Sequence, residues 1–252
     1  MAQEEVEKVN PYGDSREKGE QVEEMFDSIA PAYDFMNTAM TFGLHRGWRN
    51  KALKKAVALL GNPEEEYKVL DVATGTGDVA FKLAEMMPES IVTGIDISSG
   101  MLAKAREKLE KLPEEKRRRI AFGKADCLEL PFHDGEFSLI TVAYGVRNFS
   151  DLLKGLKEMR RVLKKEGVLC VIELSCPTGK LTASAYRLYS RKIIPAIGKM
   201  VSGDSNAYSY LPESIAACPQ RKDLALIMKE AGFTDIKWQS LTFGAVTYYL
   251  AR

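Results

Sequence analysis

The sequence predicts an α/β fold: a seven-stranded, mostly parallel sheet, doubly wound by helices, closed by an antiparallel C-terminal hairpin and preceded by extra helices. Three observations predict it. From residue 67 onward, short apolar runs alternate with amphipathic helical patterns. The runs are nearly continuously apolar rather than apolar at every second position, as strands covered on both faces must be. The last two runs are separated only by Thr242 or a short turn around it, too little chain for a crossover helix, so they pair antiparallel.

The elements follow in order. Residues 1–20 are polar and charged with little periodicity and read as a flexible N-terminal arm. Residues 21–252, in a chain that is 45% hydrophobic, are long enough to bury one large core as a single domain. Within it, residues 21–60 form a helical cap. Val22, Met25, Phe26 and Ile29 fall at i, i+3, i+4 and i+7, and Trp48–Leu60 makes a second amphipathic pattern that Gly61-Asn62-Pro63 stops. Pro31–Asn37 between them is an aromatic and polar connection. Strands are expected at 68–73, 91–96, 119–124, 137–143, 168–174, 234–241 and 243–250, with helices near 78–87, 99–112, 151–164 and 222–231. Residues 177–220 read as a lid or substrate-binding insertion. The charge-rich run Lys104–Arg119 alternates sign and is a solvated helix face.

The chemistry concentrates at Val69-Leu-Asp71-Val-Ala-Thr74-Gly75-Thr76-Gly77-Asp78: a strand, a glycine-bracketed turn and a helix start. This arrangement holds a nucleotide-like ligand at the open edge of a parallel sheet. The next strand ends in Asp96, about 20 residues beyond the glycines, where a ribose diol needs a carboxylate acceptor. Gly75-Thr-Gly77-Asp-Val-Ala80 also satisfies a loose dinucleotide pattern, so an NAD reading stays open here. Charge favours S-adenosylmethionine: a carboxylate at Asp78 would face the phosphates of NAD, and Asp71 suits the amine of a methionine moiety. A doubly wound sheet ending in an antiparallel pair is, by fold-level analogy, the pattern of adenosylmethionine-dependent methyltransferases. The third strand leads to Asp126, placed to accept from the adenine amine, with the Cys127 N–H meeting a ring nitrogen; as a plain alternative, Asp126 is a turn residue or helix cap. The fourth strand ends in Ala143-Tyr144-Gly145-Val146-Arg147-Asn148, polar groups beside a reactive methyl.

Other classes are disfavoured. A net charge of +1 with no basic stripe gives no reason to expect nucleic acid. No apolar run approaches a spanning helix, and Met1-Ala-Gln-Glu-Glu is not a signal peptide, so a cytoplasmic protein is expected. Cys127, Cys170, Cys176 and Cys218 show no metal-ligand spacing and the only histidines are His45 and His133, so no metal site is expected.

Five motifs together resemble the quinone-biosynthesis C-methyltransferase family, from about residue 20 to the end: Met25–Asp34, Phe42–Arg49, Asp71–Asp78, Gly145–Asn148 and Ser202–Ser214. The resemblance implies a Rossmann-like class I adenosylmethionine-dependent methyltransferase that methylates a ring carbon of a polyprenylated quinol. Demethylmenaquinol is the expected acceptor, since Ala185–Tyr189, Ile193–Pro195 and Leu241–Gly244 look like menaquinone-side members, with a benzoquinol as the alternative. It implies cofactor contacts by Thr76, Asp96, Asp126 and Cys127, and Asp71, Thr74, Gly75, Gly77, Ile97 and Ala143 complete the expected cofactor site; at Cys127 and Ala143 only backbone roles carry over. Arg147, Tyr33 and Asn148 are the catalytic candidates. A fixed cation at Arg147 would favour the phenolate that makes the ring carbon nucleophilic, unless it is a structural ion-pair partner. Asp34, His45 and Tyr144 are further proton acceptors or hydrogen-bond partners. A homodimer and a peripheral contact with the inner face of the cytoplasmic membrane are also expected, the latter through residues 181–201, which read equally as an interfacial element or a lid.

Overall fold

A computed structural model describes residues 2–189 and 205–252. The strands are β1 (Lys68–Val72), β2 (Ile91–Asp96), β3 (Ile120–Lys124), β4 (Phe137–Ala143), β5 (Leu163–Leu174), β6 (Lys237–Leu241) and β7 (Val246–Ala251). They form one sheet in the order β3-β2-β1-β4-β5-β7-β6. β1 to β5 are mutually parallel, and β7 lies antiparallel between β5 and β6. The chain reverses its direction of travel across the sheet between β1 and β4, which opens a crevice beyond their carboxyl ends.

Successive strand residues point to opposite faces, and here both faces are buried. Leu70, Val72, Ile140, Val142, Leu169 and Val171 pack with α8 (Leu152–Val162) and α11 (Lys222–Glu230). Val69, Leu139, Val168, Cys170 and Ile172 pack on the other side with α4 (Leu44–Leu60) and α5 (Asp78–Met86). That double coverage is why the strands read as unbroken apolar runs.

The last two strands each begin three residues later than expected, at 237 and 246 against 234 and 243, the second because a 3₁₀ turn, Thr242–Gly244, joins them. Three further segments differ from the expectation. Within the arm expected at 1–20, residues Ala2–Lys8 form helix α1, with Val6 fully buried in the core. Glu7 accepts from the Leu152 N–H at the start of α8 (3.0 Å), and Lys18 Nζ donates to the Val6 carbonyl (2.5 Å) and the Arg147 carbonyl (3.2 Å). A helix so short has no stability of its own; tertiary contacts hold it. The connection at 31–37 is instead a 3₁₀ turn, Ala30–Ala32, leading into α3 (Tyr33–Thr41). β5 begins five residues early because α8 runs into it without a loop, and its exposed Lys164-Lys165-Glu166 hid the strand.

The cap consists of α2 (Lys18–Ile29), α3 and α4. After α6 (Ser99–Leu109) and α7 (Glu114–Arg117), the insertion between β5 and α11 shows α9 (Lys180–Leu188) and α10 (Ser205–Ala217). Ser190–Val201 of the expected interfacial element and Ser202–Asp204 of the fifth motif lie outside the described residues, as do the side chains of Lys180, Ala185 and Arg187. Among the described residues no helix is long and apolar enough to cross a membrane.

Candidate active site

The loop after β1 is shaped from below. Asp71, almost wholly buried, takes the hydroxyls of Thr74 and Thr141, each at 2.6 Å, one on each carboxylate oxygen. Burial pushes its carboxyl up to about 6 while the two hydroxyls pull the other way. Asp71, expected to meet a ligand amine, is therefore satisfied inside the protein, where it pins the turn to β4. Ala73 and Gly75 adopt φ of +52° and +57° to complete that turn. Gly77 has φ +83°, and a β-carbon there would fall 2.8 Å from the rings of Phe122 and Phe81. Only glycine lets the loop approach them.

Gly75, Asp96, Ile97, Asp126, Cys127, Ala143 and Gly145 line a crevice over these strand ends. The Gly75 N–H (2.8 Å) and the Ser98 N–H (2.9 Å) each bind one oxygen of Asp96, fixing the carboxylate to the crevice wall. Burial raises the Asp96 pKa against the pull of the Ser98, Gly75 and Ile97 N–H groups, so a bound cation would be welcome there. Asp126 accepts from the Leu128 N–H (2.9 Å), which makes it a turn-forming residue and a crevice residue at once. The lining holds two carboxylates and no lysine or arginine. That charge balance suits a sulfonium and ammonium compound and repels a pyrophosphate; small residues at Ala73, Gly75, Ala143 and Gly145 leave a flat floor. The residues fit S-adenosylmethionine.

Thr74, Thr76 and Gly77 do not line the crevice. Thr76 donates to Asp34 (2.6 Å) and accepts from Lys108 (2.9 Å); Lys108 also binds Asp34 (2.6 Å) and Asp78 (2.8 Å), and Arg49 binds Asp78 (2.8 Å). Asp78 is thus neutralised away from the ligand, and Asp96 and Asp126 are the carboxylates that would repel a phosphate in the crevice.

A second cavity of about 290 Å³ adjoins the crevice. Its walls are largely apolar, with Met25, Ile29, Met36, Met40, Leu211 and Ile215 from the cap and α10. Phe26, Tyr33 and Tyr144 border both spaces and form the passage between them. Arg147 enters this cavity from a 3₁₀ turn, Val146–Asn148, and pairs with Glu173 at 2.9 Å, both buried. Its backbone N–H reaches the other Glu173 oxygen (3.3 Å) and its guanidinium also binds the Tyr144 carbonyl. Burial opposes the Arg147 charge, but Glu173 and the nearby phenols outweigh it and raise the pKa. Asn148 accepts from the Tyr210 hydroxyl (3.1 Å), linking the turn to α10. Two buried polar atoms of the wall, Tyr144 Oη and Arg147 Nε, have no hydrogen-bond partner among the described residues. Burial raises the phenols of Tyr33 and Tyr144, making them donors rather than bases. His45 contacts the Thr41 hydroxyl (2.7 Å), and burial with Arg49 and Arg46 lowers its pKa to about 4. It is neutral at ordinary pH.

Sequence reasoning missed Glu173. Its signal was there: one acid inside the otherwise apolar run Val168–Leu174.

Strand order and the antiparallel seventh strand give the chain a Rossmann-like fold of the kind found in adenosylmethionine-dependent methyltransferases. A solved methyltransferase from Thermotoga maritima, described as a possible histamine N-methyltransferase, superposes with a TM-score of 0.59 at 20% identity, covering 90% of this chain and 98% of the other. The chain belongs to the ubiE/COQ5 methyltransferase family, whose sequence model matches residues 14–252. It is 44% identical to the demethylmenaquinone methyltransferase of Bacteroides fragilis, covering 97% of both chains. It is 42% identical to the ubiquinone/menaquinone biosynthesis C-methyltransferase UbiE of Geotalea uraniireducens, over 94% of this chain and 97% of the other.

Proposed function

We propose that this enzyme methylates a ring carbon of demethylmenaquinol, giving menaquinol, and that it does so in peripheral contact with a membrane. One observation carries the reading: an apolar cavity meets a carboxylate-lined crevice through a passage of three aromatic side chains. When bound, S-adenosylmethionine supplies a methyl on a cationic sulfur. Asp96 and Asp126 hold the nucleoside end. Phe26, Tyr33 and Tyr144 orient the quinol ring toward the crevice, and the apolar cap receives its isoprenoid tail. The Tyr144 hydroxyl and Arg147 Nε, without partners among the described residues, donate to the quinol oxygen and so favour its phenolate. The hydroxyl proton leaves to water, the phenolate shares its charge with the neighbouring carbon that takes the methyl, and that carbon then gives up its own proton to restore the aromatic ring. Glu173 fixes Arg147 and offsets its charge, so this is directed hydrogen bonding more than a free cation. Asn148 positions the turn through Tyr210.

Calorimetric titration with S-adenosylhomocysteine, then radiolabelled methyl transfer to reduced demethylmenaquinone in detergent, tests the reading. Binding with label in the quinol is expected. Label appearing only in a benzoquinol would move the substrate to the ubiquinone side, a reading favoured by the UbiE relative. Absence of binding by folded protein would remove the methyltransferase reading altogether.

A further inference from the structure

The mouth of the apolar cavity carries a surface that the transfer reaction itself does not require. Phe42 and Phe243 are each 81% exposed, and Leu44 beside them is 50% exposed. Both phenylalanines hold left-handed backbone, φ +51° and +56°, at the tips of tight turns: one ends α3, the other lies in the 3₁₀ turn between β6 and β7. Left-handed conformations are uncommon for bulky residues, so two aromatic side chains are held outward on strained tips. The tips belong to one rim. Trp48 donates its indole N–H to the Thr242 hydroxyl (2.8 Å), and Phe42, Leu44, Trp48, Thr242 and Ala245 all line the cavity. The rim is also electrostatically one-sided. Around it, residues 35–51 and 236–246 contain four lysines or arginines and no aspartate or glutamate, in a chain with 35 acidic residues. Arg49 is held by Asp78, which leaves Arg46, Lys51 and Lys237, all exposed, to face an anionic surface. Arg46, next to Leu44 in α4, is exposed.

From this we infer that the Phe42–Phe243 rim docks on an anionic lipid bilayer, the two rings entering the acyl boundary and the cations meeting the headgroups, so that a lipid substrate passes from the bilayer into the cavity. Apolar side chains flanked by positive charge and lacking acids have the chemistry of an interfacial anchor. A water-soluble acceptor would give no reason for it. The inference rests on the lipid-quinol reading for its purpose, but the surface is tested without substrate.

The chain's two tryptophans, Trp48 on the rim and Trp238 in the adjoining β6, are built-in reporters. The full-length protein is mixed with vesicles of phosphatidylcholine alone, or of phosphatidylcholine with phosphatidylglycerol, some carrying brominated acyl chains. Cosedimentation with the anionic vesicles and quenching by bromine are expected. The double variant Phe42→Asn/Phe243→Asn keeps residues that tolerate left-handed backbone, so the fold is retained, and vesicle affinity drops by about tenfold or more. Phe243→Asn alone leaves methyl transfer to a short-tailed, detergent-dispersed quinol unchanged and slows transfer to a long-tailed quinol in vesicles. Equal binding by the folded double variant and the parent overturns the inference. So does a concentration-dependent dimer that the double variant abolishes, with no vesicle binding by either: the rim then joins two copies of the chain. Vesicle binding without methyl transfer would sink the functional reading and leave the surface standing.

Discussion

At Tyr144 the chain leaves β4 with φ of +60° and buries a hydroxyl that has no partner among the described residues. Such strain and such an orphan persist where function holds them. Tyr144→Phe therefore has opposite consequences for stability and rate. Unfolding free energy stays within about 0.5 kcal/mol or rises, since no protein hydrogen bond is lost. Turnover falls on the order of 100-fold, the usual loss for one donor to a developing oxyanion, while calorimetric affinity for S-adenosylhomocysteine holds. Parallel loss of stability and rate would refute the donor role. Arg147 needs a paired test, because Arg147→Met strands Glu173 and costs about 3–5 kcal/mol. Adding Glu173→Gln restores the thermal transition but not turnover; recovery of turnover would make Arg147 only a structural partner. At this scale the sequence was informative about type and less so about direction. Asp96, Ile97, Asp126, Cys127, Ala143 and Gly75 line the crevice, as strand ends that converge in a parallel sheet lead one to expect. Asp71 and Thr76 do not line it, because the tilt of a turn decides which side of the loop a side chain takes. Their partners, Thr141 and Asp34, are 70 and 42 residues away.

The elements most legible in the sequence are those whose two faces are both buried: β2 and β4 match their expected bounds residue for residue. Those hardest to see depend on distant partners, α1 on α8 and α3 on the loop after β1. The same dependence joins the cap to the cofactor crevice. Asp27 of α2 accepts from the Ser98 hydroxyl (2.6 Å) and the Gly100 N–H (2.7 Å), capping α6 from outside its own segment. Lys108 of α6 then clamps Asp34 of α3 and Asp78 of α5. These half-exposed charges contribute about 0.2–1 kcal/mol per pair, and together they hold the cap over the crevice. Lys108→Met should raise the Kd for S-adenosylhomocysteine about three- to tenfold through a faster off-rate, read by stopped-flow fluorescence. Added salt should weaken binding to the parent protein and change the variant little. A variant with unaltered off-rate would show that the clamp is decorative.

For the molecule as a whole, two buried basic groups tie stability to pH in separate windows. His45 has a folded pKa of about 4 against an ordinary 6.5. Between these values the unfolded chain binds the proton that the folded chain refuses, so stability falls as pH drops from 6.5 to 4 and is full above 6.5. Lys18, buried where it bridges α1 to the Arg147 turn, has a folded pKa of about 8 against 10.5, chiefly from burial. The unfolded chain again binds more protons, so this contribution grows as pH rises from 8 to 10.5. Carboxylates impose their own acid-side slope, so each group is isolated by difference. Thermal transitions of the parent, His45→Gln and Lys18→Met should diverge only in the matching window: His45→Gln flattens the curve below pH 6.5, and Lys18→Met removes the rise above pH 8. Because His45 is already neutral throughout the working range, His45→Gln should also leave the acid limb of the turnover profile in place. An acid limb that vanishes with this imidazole would return His45 to the reaction as its base.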